Sequence, residues 1–187
     1  MSLTTAQMQT LKAAILADNA LASQPMNSDG AFAIAAALNL LASPAVRVWR
    51  TDAPVQAIAD AINWSIYTPV DTPDGTAAFT NRILAIQTKQ MNLQLMLQGR
   101  ESVDASKANV RAGLRDAVVA VPAGPGGAAV APGGGNGVTV LTACVRDAKR
   151  IEDILSTGSA TTGTVTAKIM GYEGDISFQD VADARLA

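Results

Sequence analysis

Lys107, Arg111 and Arg115 recur every four residues and are the most suggestive polar feature of the chain. On a helix this spacing puts all three on one face. Such a face can stay solvated, pair with the acidic face of a neighbouring copy, or lie against nucleic acid. The net charge of −2 disfavours general nucleic-acid binding, which is usually accompanied by a basic balance. Other chemistry is sparse. The chain has no histidine, so the usual general base and the Ser–His and Cys–His pairs are missing. Cys144 is the single cysteine. It can form neither an internal disulfide nor a zinc cluster, and it suits a reducing cytosol. Between Ala143 and Val145 it reads as a small buried hydrophobe. Glu152/Asp153, Glu173/Asp175 and Asp180/Asp183 read as solvated or helix-capping carboxylates, because a calcium loop needs more oxygen ligands at regular spacing. The Gly-rich stretch 122–137 (PAGPGGAAVAPGGGNG) lacks the lysine of a phosphate loop and follows a helix, not a strand. Trp49 and Trp64 read as core anchors. No catalytic residue, cofactor or metal site is expected. The chain reads as an assembly protein and not an enzyme.

The elements that carry these residues are expected to be helical. Alanine dominates the apolar half of the 187 residues, and alanine is the best helix former. Closely spaced helices with small core side chains follow, with stability drawn in part from partners. Thr4 or Thr5 caps a helix over 5–17, and a connector over 19–28 follows. Asp29 caps AFAIAAALNLLA, apolar nearly all round and so buried. The stretch 46–50 (VRVWR) is an extended connector. Pro54 opens a helix over 54–66, and TPVDTPDG at 68–75 is a loop. Thr76 or Thr80 starts the longest helix, ending near Gln98 with Gly99 as its C′ residue. Its apolar groups lie on more than one face, which suits contact with both its own core and a neighbour. A helix over 104–121 carries the basic stripe. The segment 122–137 is a flexible loop with too little bulk to pack, and 138–156 is a last long helix. The segment 157–163 is a Ser/Thr/Gly loop, and 164–172 (TVTAKIMGY) is the best strand candidate. Ser177, with Asp180 three residues on, caps a terminal helix. The expected fold is mainly α: one domain over 1–187, a helical bundle with long central helices, a Gly-rich loop and a small extended segment near the C-terminus. No stretch approaches the ~20 apolar residues of a membrane span, and MSLTTAQMQTLKAAIL lacks the basic start of a signal peptide.

Four stretches resemble a family of bacteriophage virion proteins encoded near the capsid genes. They are NSDGAFAIAA at Asn27–Ala36, VWRT at Val48–Thr51, KANVRAGL at Lys107–Leu114 and YEGDISFQDVADA at Tyr172–Ala184. The last contains the pattern (S)-F/Y-Q-D-V-x-x-A. Residues 83–98 and the Gly-rich segment depart from the resemblance. The closest functional group is the head-to-tail adaptor (connector) proteins of short-tailed phages. The resemblance implies a helical virion protein at the head–tail junction, made in the bacterial host cytoplasm. It implies a homo-oligomeric ring of about twelve copies, whose heterologous interfaces join different patches. One side would meet the portal protein and the other the tail nozzle or tail-tube protein, with passing contact to genomic DNA in the channel and none to membrane. Lys107, Arg111 and Arg115 are then candidate contacts to a neighbour or the portal. The loop 122–137 and the segment 164–187 are candidate docking arms, with Tyr172 and Phe178 as contact residues on the second. Head completion, capsid decoration and tail-tube roles are the alternatives within the virion.

Overall fold

The structure is a computed structural model, described over residues 3–64, 77–120 and 136–187. The expected loop at 68–75 lies outside those residues, and so does the Gly-rich segment up to its last two positions. The backbone clusters into two compact units. Unit 1 holds Met1–Val48, Asp147–Ser159 and Ala167–Ala187, and unit 2 holds Trp49–Arg146 and Ala160–Thr166.

In unit 1 the local signals act as expected at both ends of the chain. Helix α1 (Thr5–Ala17) starts in a capping box, with the Thr4 hydroxyl accepting from the Gln7 N–H and Gln7 Oε1 accepting from the Thr4 N–H. Asp18 ends α1 and caps α2 (Asn19–Ala22), a short helix inside the expected connector. Helix α3 (Ser28–Leu38) is capped by Asn27, two residues before the expected Asp29, because Asn27 Oδ1 accepts the Gly30 N–H at 3.0 Å. Helix α8 (Arg150–Ile154) and helix α9 (Phe178–Leu186) complete the unit, and α9 opens in the expected Ser177/Asp180 box. Leu11, Ile15, Ile34, Leu38, Ile151 and Val181 are fully or almost fully buried in one apolar cluster. Each such aliphatic side chain contributes roughly 1.5–3 kcal/mol on burial. α9 packs on α1 and α3. Asn39 tethers the approach to α9, donating to the Ile176 carbonyl at 3.0 Å and accepting the Ile176 N–H at 2.8 Å.

Unit 2 contains α4 (Val55–Asp60), α5 (Ala77–Leu97), α6 (Ala108–Val118) and α7 (Asn136–Ala143). α6 packs on both α5 and α7. α5 is the long helix expected from the sequence, and Gly99 follows it at φ +70°, the left-handed geometry that glycine adopts without a Cβ penalty. α4 is half the expected length. Pro54 is its N-cap, so the expected start holds, and Ala53–Pro54 is also strand β2, which pairs antiparallel with β3 (Ser102–Val103).

The fold class is the main correction. The chain is mixed α/β, not a mainly helical bundle. Strands β1 (Arg47–Trp49), β4 (Val145–Asp147), β5 (Ser156–Thr162) and β6 (Val165–Met170) form a sheet in the order β4-β1-β6-β5. β1 runs parallel to β6 with Val48 opposite Lys168. The continuous helix expected over 138–156 is broken into α7, β4 and α8. Its middle gives its backbone to the 40–46 segment: the Ala42 N–H donates to the Ala148 carbonyl, and the Ala148 and Arg150 N–H groups donate to the Val46 and Leu40 carbonyls. Non-local pairing overrides helix propensity there. The expected Ser/Thr/Gly loop is strand β5. It turns into β6 through Gly163 (φ +60°) and Thr164, a two-residue connection whose first position needs positive φ. Thr161 and Thr166 share a hydroxyl hydrogen bond of 2.8 Å across that hairpin.

Candidate functional site

The basic stripe separates once it is folded. Lys107 is the N-cap of α6, and Arg115 lies in its last turn. Both are exposed, whereas Arg111 between them is only 3% exposed. The Arg111 guanidinium donates from Nη1 to the Ala105 and Ser106 carbonyls at 2.7 and 2.6 Å. Its Nε donates to Thr162 Oγ1 at 3.1 Å. Its carbon centre stands 4.7 Å from the ring centroid of Trp49, within cation–π range. Trp49 is itself fully buried and donates from Nε1 to the Ala160 carbonyl. Burial pulls the Arg111 pKa below the ordinary arginine value, and the nearby Asp104 carboxylate opposes that pull. Arg111 is therefore an internal clamp of unit 2. It holds the turn before α6 to strand β5 and does not offer its charge to a partner.

Asp104 shapes the same turn. It accepts from the Ser106 N–H at 3.0 Å and the Ser106 hydroxyl at 2.5 Å, and it pairs with Lys107 at 3.3 Å. Burial pushes its carboxyl pKa up, but those donors outweigh it and the net shift is downward. Arg115 lies over the β5–β6 turn. A Cβ on Gly163 would meet its Nε at 3.0 Å. Arg115, Val119, Leu141 and Gly163 line part of an open cleft of about 170 Å³.

No family model, curated protein or solved structure matches the chain. Among the described residues no group of three His, Cys, Asp or Glu side chains could hold a metal ion, and no helix is long and apolar enough to cross a membrane.

The two candidates near the C-terminus also part. Tyr172 belongs to the unit 1 core, and its hydroxyl donates to the Asp175 carbonyl at 2.6 Å. Burial raises its pKa, with Asp180, Asp175 and Glu152 adding to the effect. Phe178, the first residue of α9, stays at the surface. It stacks on Phe32 of α3 with ring centroids 4.1 Å apart and planes 21° from parallel. Phe32 is 53% exposed. Exposed Met26 and Leu186 also belong to unit 1, where they line a shallow groove with Ala31 and Ala182.

Three other residues depart from or sharpen the sequence reading. Glu152 is completely buried, accepting the Lys149 N–H at 2.8 Å and the Gly174 N–H at 3.1 Å. Of the two expected readings, solvated or capping, the capping one holds, since Lys149 is the N-cap of α8. The only local trace was its position three residues after a helix start, where a carboxylate can bond back to the cap. Trp64 is exposed, unlike Trp49, and donates from Nε1 to the Ala59 carbonyl. Cys144 is buried as expected, although it follows α7 and is not inside a longer helix. Burial pushes its thiol pKa up to about 11, which suppresses the reactive thiolate at neutral pH.

Proposed function

We propose that this chain is a structural virion protein of a tailed phage, placed at the head–tail junction, where a ring of copies joins the portal to the tail. The observation that carries this reading is the stacked Phe32–Phe178 pair, held at the surface of unit 1. Aromatic side chains kept in water on rigid helices are the anchors that protein interfaces use. α9 is firmly built beneath the pair by its capping box and by Arg185, which donates to the Gln24 and Pro25 carbonyls. A rigid apolar contact near the C-terminus suits a docking element. The four stretches that resemble phage virion proteins supply the rest of the support, and the last of them contains Phe178. Lys107 and Arg115 remain the exposed cations of α6 for contact with a neighbour or the portal, and Arg111 and Tyr172 are withdrawn from that role.

The test is made on assembled particles. Labelled copies of this protein are expected at the vertex that carries the tail, in a closed ring. Phe178→Asp is expected to yield filled heads without tails while the purified variant keeps its helical signal. Particles that lack the protein, or that carry it over the whole capsid, contradict the reading.

A further inference from the structure

We infer that α5 carries a second, separate contact surface, a coiled-coil-like seam that binds a second copy of this chain. The helix has two distinct faces. Ile86 and Leu93, seven residues apart, are buried in unit 2 at 0% and 4% exposure. On another face Leu84, Met91 and Leu95 are 55%, 60% and 64% exposed. With Thr88 and Gln98, also exposed, they fall at 84, 88, 91, 95 and 98. That is the alternating four-and-three spacing of a helix–helix seam. The Thr88 hydroxyl donates to the Leu84 carbonyl at 2.8 Å, so this position brings no unmet polar group into the seam.

The flanks say what fits it. In a heptad reading, Ala85, Gln87, Asn92 and Gln94 take the positions beside the seam, where charged residues ordinarily select a partner. Here they are uncharged. From 83 to 98 the only charge is Lys89, which is engaged within unit 2 by the Asp116 carbonyl and, at 3.2 Å, by its carboxylate. A neutral face offers nothing to the phosphates of nucleic acid and nothing to a strongly charged protein partner. Amide side chains are donors and acceptors at once, so an identical face satisfies them. Two copies that each carry net negative charge can approach through this face without like charges meeting. The junction reading already has copies touching; this inference adds a pairwise contact between identical faces, separate from the heterologous interfaces that close a ring, and it stands without that reading.

Sedimentation velocity of the purified full-length chain tests it. The wild-type protein is expected to self-associate, and Leu84→Glu combined with Leu95→Glu is expected to run as a monomer with an unchanged far-UV circular dichroism spectrum. A wild-type chain that stays monomeric on the order of 100 µM overturns the inference, and so does association that survives the double substitution. Should the charged variant not fold, Met91→Cys gives a second readout. Cys144 is buried, so alkylation of the folded variant reports position 91. Its rate is expected to fall on the order of tenfold between dilute and concentrated protein, by mass action. A rate independent of protein concentration overturns the inference.

Discussion

Unit 1 is closed by local signals over an apolar cluster, whereas unit 2 adds a buried cation to its own aliphatic core. In unit 1, Thr4, Asn27 and Ser177 each satisfy the first turn of their own helix, and aliphatic side chains fill the space between α1, α3 and α9. In unit 2, α6 begins at Lys107 without a side-chain cap. The turn before it is fixed instead by Arg111, reaching forward to Thr162 and back to the Ala105 and Ser106 carbonyls. A second polar tie of this kind joins Asn136 Oδ1 to the Asn63 N–H at 2.9 Å. The contrast teaches where a chain can be altered at little cost. A cap or a methyl group in unit 1 is one contribution among many. Arg111 bonds three acceptors and covers the Trp49 ring, so its loss removes several contacts at once.

The largest expected effect follows from that. Arg111→Ala leaves two carbonyls without their donor and uncovers the face of Trp49. It is expected to destabilise unit 2 by about 3 kcal/mol. Arg111→Lys is expected to recover only part of this, because an ammonium has no counterpart of Nε to reach Thr162 and no planar group to lie over Trp49. Both tryptophans lie in unit 2, so the urea midpoint of tryptophan fluorescence is the measurement. An unchanged midpoint would break the comparison.

A smaller effect is expected in unit 1, at Gly30. A Cβ there would sit 2.0 Å from the Pro25 carbonyl oxygen. That carbonyl cannot move aside easily, since Arg185 donates to it at 2.9 Å. Gly30→Ala is expected to cost about 2 kcal/mol through this overpacking. Far-UV circular dichroism should report the loss more strongly than tryptophan fluorescence does. Coincident shifts in the two signals would mean that the units unfold as one body, and the division into two modes of closure would lose its thermodynamic sense.

How much of this was legible in the sequence depends on the range of the interaction. Helices α1, α5 and α9 were readable because periodicity, caps and Gly99 act within a few residues. The sheet was not, because β1 and β4 are three residues long and find partners far along the chain. Val145–Asp147 offers no alternation long enough to register, so an intact helix from Val138 to Ser156 was the reasonable local reading. The basic stripe failed for a related reason. Spacing of four places Lys107, Arg111 and Arg115 on one face, yet whether that face meets water or Trp49 is decided by residues more than fifty positions away. Phe178 was legible as part of a terminal helix, but its stacking on Phe32 was not.

The last and smallest effect separates charge from geometry within the turn that Arg111 holds. Asp104→Asn keeps an oxygen able to accept from the Ser106 N–H and hydroxyl, and it removes only the negative charge. The carboxyl of Asp104 has a lowered pKa in the folded chain because the Ser106 and Lys107 donors outweigh its partial burial. A group whose folded pKa is depressed contributes stability above its unfolded value, about 3.9, and loses that contribution as pH falls through the folded value. The wild-type chain is therefore expected to be slightly more stable than Asp104→Asn at pH 7. The two should converge as pH falls through the lowered folded value of Asp104, read as urea midpoints of tryptophan fluorescence at each pH. A difference that persists in acid would assign the role of Asp104 to hydrogen-bond geometry alone. Arg111 would then be the one charge in the turn on which unit 2 relies.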